Sequence, residues 1–129
     1  MRHFYLLLSV VTFGVLSACA PSLVITNRDT GASGIGTATG ATFNSMGKIS
    51  LNVDEEEYNG TWVAMRDSGS AKLTFWSLGP KDSGAGIANL TSKTGKYLRC
   101  EFGYSMTSLS GIGLCKTKDG TTYDLMLSI

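Results

Sequence analysis

From about residue 34 onward, apolar and polar side chains alternate with a period of two, in short stretches separated by clusters of Gly, Ser, Asn, Asp and Lys. In "GKISLNV", residues 47–53, Ile49, Leu51 and Val53 point one way and Lys48, Ser50 and Asn52 the other. In "KYLRCEFGY", residues 96–104, Leu98, Cys100 and Phe102 oppose Tyr97, Arg99 and Glu101. That period marks strands with one buried face. Further strands are predicted at 34–40, 58–65, 71–78, 86–92, 111–117 and 122–128, and no long window keeps a helical period. The connections carry turn chemistry, as in "DEEE" at 54–57, "RDSGS" at 66–70, "KTG" at 93–95 and "KDG" at 118–120. The fold class that follows is all-β: a small antiparallel meander of about eight strands, barrel-like or a sandwich. A barrel hides the strand edges.

A glycine pattern recurs on this background. Gly34-Ile35-Gly36, Gly84-Ala85-Gly86 and Gly111-Ile112-Gly113 each open a strand. Within strands, glycine marks bulges and places where backbone or side chains approach closely. "GIGLCKTKDGTTY", Gly111 to Tyr123, and "YNGTW", Tyr58 to Trp62, resemble the spacing of MORN-repeat hairpins, although the pieces are not tandem. A glycine-rich meander produces the same spacing without a repeat array.

The N-terminal segment follows a different rule. "MRHFYLLLSVVTFGVLSACA" opens with Arg2 and His3, stays largely apolar from Phe4 to Ala18, and closes on small residues, the build of a secretory signal peptide. The apolar run is shorter than the ~20 residues that span hydrocarbon. Its end, Leu16-Ser17-Ala18-Cys19, resembles the lipobox of bacterial lipoproteins. That resemblance implies a diacylglyceryl group on the Cys19 thiol, cleavage after Ala18 and acylation of the new amino terminus. Two or more acyl chains hold a protein at a bilayer where one binds only marginally. Ala20 rather than aspartate follows the cysteine. In that family this implies the outer membrane, with the domain facing the periplasm. The predicted organisation is a cleaved signal peptide over 1–18, a lipidated N terminus and tether over 19–33, and an antiparallel β domain over 34–129.

Cleavage also changes the charge. Arg2 and His3 are lost, leaving ten Lys and Arg against ten Asp and Glu and no histidine. A neutral chain is poorly suited to nucleic acid. Without imidazole there is neither a histidine-activated nucleophile nor the commonest metal ligand. The run Asp54-Glu55-Glu56-Glu57 lacks the alternating ligands and glycine of a calcium loop. No metal and no cofactor is therefore predicted; the predicted partners are the bilayer, through the lipid, and an envelope protein.

"DTGAS", Asp29 to Ser33, resembles the aspartic-protease signature, which would make Asp29 one carboxylate of a proton-sharing pair. Asn27-Arg28 stands where that family has apolar strand residues, and no second copy follows. Hydrolysis through Asp29 is thus the enzymatic alternative to a non-enzymatic envelope module of structural or binding role. A further alternative is a periplasmic inhibitor, because lysozyme inhibitors of that compartment share the small, lipid-anchored, disulfide-bearing β architecture. The candidate binding residues are Trp62, Trp76 and Tyr104, aromatic side chains on predicted strands.

Cys100 and Cys115 lie on the two strands that flank "SMTSLSG", so antiparallel pairing can bring them face to face. In an exported chain they are expected to form a disulfide. Closing a loop of this length contributes ~3 kcal/mol.

Overall fold

The computed structural model of the chain describes residues 22–40, 46–65, 84–105 and 107–128. Among them are eight strands: β1 (Ser22–Asn27), β2 (Ser33–Ala38), β3 (Met46–Val53), β4 (Glu56–Met65), β5 (Gly84–Ser92), β6 (Tyr97–Ser105), β7 (Ser110–Thr117) and β8 (Thr122–Ser128). Each pairs antiparallel with the next, and β8 returns to β1, so the meander closes as a barrel and is not a sandwich. Seven of the strands read from the sequence are present with shifted ends, and the one predicted at 71–78 lies outside the described residues. Of the acidic run, Asp54 and Glu55 form the turn, while Glu56 and Glu57 begin β4.

The tether predicted over residues 19–33 is corrected by β1, which takes up Ser22–Asn27 and pairs with both β2 and β8. The barrel therefore begins at Ser22, not at residue 34. Leu23 and Ile25 point inward and are fully buried, whereas Val24 and Thr26 are only half-buried. Two apolar core positions in six residues form too short a pattern to stand out, and one partner of this strand is the last strand of the barrel.

The interior is packed by a rule visible in the register. Trp62 faces Gly47 on one neighbouring strand and Ala88 on the other. Phe102 lies between Gly86 and Gly113, Gly60 between Ile49 and Leu90, and Gly36 between Leu23 and Leu51. A closed barrel of eight strands has room inside for side chains alone, and alternating large with small fills it. The glycines of the Gly-x-Gly starts are the small partners, while the residues between them, Ile35, Ala85 and Ile112, occupy the outward face.

The approach is close enough to exclude a methyl group. A Cβ on Gly60 would stand 1.8 Å from the Asn89 carbonyl oxygen, and one on Gly34 would stand 1.6 Å from that of Asn52. Both contacts are with backbone, which cannot swing away. Gly95, in the β5–β6 turn, has a φ of 84° and open space where its Cβ would be. Gly60→Ala is expected to destabilise the barrel by about 3 kcal/mol, from overpacking against fixed backbone. Gly95→Ala should cost only about 1 kcal/mol, from conformational strain. Urea unfolding of the two variants measures the difference.

Candidate functional site

Of the residues singled out from the sequence, Cys19 and Trp76 lie outside the described residues. Trp62 is corrected from a surface candidate to a core residue. It is 8% exposed and points into the barrel, where its Nε1 donates to the Thr39 carbonyl at 3.0 Å. Strand parity decides this, because Tyr58, Gly60, Trp62 and Ala64 all lie on the inner face of β4. Tyr104 is half-buried and packs against the core, opposite Gly84 and Gly111. Cys100 and Cys115 are register partners on β6 and β7 and form a disulfide. Both are fully buried inside the barrel, beyond reach of an attacking thiol, which makes the bridge a structural tie.

The two ends of the barrel differ. At one, the turn end, short hairpin turns cluster around a polar network. Asp54 and Glu55, the central residues of the β3–β4 turn, both hold positive φ, 52° and 62°. Two-residue hairpin turns demand that conformation, and Asp tolerates it better than Glu. Asp54 is secured from two sides: its Oδ2 accepts from Asn27 Nδ2 at 2.9 Å and from the Tyr123 hydroxyl at 2.8 Å. Asn27 in turn accepts, through Oδ1, from the backbone N–H groups of Asp29 and Thr30. Three corners of the barrel are thus joined through one carboxylate. Asp29 itself sits exposed in the β1–β2 turn.

The neighbouring turns are locked in the same way. Glu56 accepts from Thr94 Oγ1 and pairs with Lys96 at 3.2 Å, an arrangement that lowers the carboxyl pKa, with Lys96 as the chief cause. Asp119 accepts from Thr117 and Thr121, and these bonds lower its pKa too. Among the described residues, no group of three Cys, Asp or Glu side chains converges as a metal site.

The other end, the entry end, is where β1 begins. Its described residues include Met46 and Leu109, exposed apolar side chains. On the wall, Thr37, Thr39, Lys48, Ser50, Asn59 and Thr61 line an open groove of about 440 Å³ across β2, β3 and β4. Around the barrel from this groove, outward residues of four adjacent strands stand in two rows. Thr37, Ser22, Ser128 and Ser110 are register partners nearest the entry end. The next row is Ile35, Val24, Met126 and Ile112. Three of these four are substantially exposed: Ile35 at 71%, Met126 at 51% and Ile112 at 41%.

Glu101 departs from the outward pattern. It lies on the outer face of β6, yet it is fully buried, with Arg99 at 3.8 Å. Local sequence carries no sign of this, since a charged residue at an outward strand position reads as solvated. No protein-family model, curated protein or solved structure matches this chain.

Burial raises the pKa of the Tyr123 phenol far above the usual tyrosine range, and the bond to Asp54 raises it further. Burial likewise raises Tyr58. Raised folded values mean that this stabilisation is complete below pH ~10, the unfolded tyrosine value, and is lost as pH climbs toward the folded values. Stability should therefore fall at alkaline pH, less steeply in Tyr123→Phe than in the native chain. At neutral pH the same variant should be about 1–2 kcal/mol less stable, because Asp54 loses a donor. Thermal unfolding across the alkaline range, with tyrosinate absorbance as a second readout, measures both effects.

Proposed function

We propose that this chain is a lipid-anchored outer-membrane protein that holds a disulfide-tied β-barrel at the periplasmic surface, as a non-enzymatic structural or binding module. The carrying observation is the Leu16-Ser17-Ala18-Cys19 motif, placed at the end of an apolar leader. A buried disulfide is in keeping with export to an oxidising compartment. The barrel has an apolar interior and a mostly polar exterior, the reverse of a membrane-spanning barrel. Attachment of such a body to a bilayer calls for an anchor outside the strands.

The binding role draws support from the open groove on β2–β4, where Lys48, Asn59 and Thr61 stand among a largely apolar lining. The enzymatic alternative through Asp29 loses support, because that carboxylate lies in an exposed turn organised by Asn27. In cells given radioactive palmitate, the native chain should take up label and sediment with outer membranes. Cys19→Ser should abolish both; label and membrane retention persisting in that variant would refute the anchor.

A further inference from the structure

We propose that the barrel wall formed by β2, β1, β8 and β7 rests on the bilayer, with Ile35, Val24, Met126 and Ile112 entering the boundary between headgroups and acyl chains. The inference rests on the reading of Cys19 as the lipid anchor and adds an orientation to it. Cys19 precedes Ser22, the first residue of β1, by three positions. Three extended residues reach at most about 11 Å. A barrel on so short a leash cannot stand away from the membrane, and the strand nearest the anchor decides which side faces it.

That strand is at the centre of an uncharged stretch of wall. β1 has β2 on one flank and β8 on the other, and β7 follows. On these four strands, the eight outward positions nearest the anchor are the hydroxyl row, Thr37, Ser22, Ser128 and Ser110, and the apolar row behind it. Neither row contains a charge. The hydroxyls can bond to phosphate and ester oxygens while the apolar side chains enter the layer below, as surface-lying amphipathic elements do. Charge begins one row further toward the turn end, where Asp124 pairs with Arg28. On the far wall, outward positions of β4 and β5 carry Asn59 and Asn89 beside a second apolar row, Met46, Val63 and Ile87, so that closeness to the anchor, not apolarity alone, selects the β1 side. The described turns at the turn end hold Arg28, Asp29, Asp54, Glu55, Lys93 and Lys96, groups that belong in water.

The test uses the full, lipid-modified chain purified from membranes and reconstituted into vesicles of phosphatidylethanolamine and phosphatidylglycerol. With Cys19 acylated and Cys100 bridged to Cys115, a single introduced cysteine takes a fluorescent maleimide selectively. Reporters at Ile112→Cys and Met126→Cys are expected to be quenched several-fold more by a nitroxide lipid than reporters at Asn59→Cys and Asn89→Cys. Adding Met126→Lys to the Ile112 reporter should reduce its quenching to the level at Asn59 while the protein still sediments with the vesicles. Equal quenching at all four positions, in protein whose acylation mass spectrometry verifies, overturns this orientation and leaves the anchor standing. Crosslinking between copies through Ile112→Cys at low protein density overturns it in favour of a second copy on this wall. A mass without acyl chains overturns the anchor and the orientation together.

Discussion

Space inside a closed eight-stranded barrel is so limited that most bulky inward side chains have a small neighbour on at least one flanking strand. Trp62 against Gly47 and Ala88, and Phe102 between Gly86 and Gly113, are the plainest instances. The contact distances show that the condition binds the backbone as well, since a Cβ at Gly60 or Gly34 would overlap a carbonyl oxygen. Core composition and the position of the bridge both follow from it. Cys100 and Cys115 occupy adjacent inner positions between Ala88 and Tyr123, where a compact sulfur pair fits and two large residues would not.

A barrel packed this way leaves little of its interior for ligands. The turn end is given over to rigidity: Asp54, Glu56 and Asp119 each accept bonds that fix hairpin geometry. Two of these, Asp54 and Glu56, belong to the acidic run that a sequence reading weighs for calcium, and here they hold turns. The wall carries the variety. An open groove crosses β2–β4, and an apolar row crosses β2, β1, β8 and β7.

Much of the architecture is legible before any coordinates. The alternation in β3 and β6, the turn residues between them and the pairing of Cys100 with Cys115 all express a period of two that local sequence carries directly. What escapes is set by closure. Ser22–Asn27 becomes a strand because β2 and β8 lie on both sides of it, and nothing within six residues announces either partner. Trp62 was legible as a strand aromatic but not as an inner one; its neighbours Thr61 and Val63 give no strong contrast of polarity. The apolar row escapes for a related reason. Ile35, Val24, Met126 and Ile112 come from four separate stretches of chain, and only the register makes them one surface.

The placement of β1 also has a mechanical side. It is the strand through which any load on the N terminus enters the fold, and it is hydrogen-bonded along both edges, to β2 and to β8. Tension along its axis is shared by both ladders in shear, and all the bonds must slip together. A hairpin pulled apart from its open end would instead unzip one pair at a time. A pull on the N-terminal end of β1 therefore meets the resistance of two ladders at once.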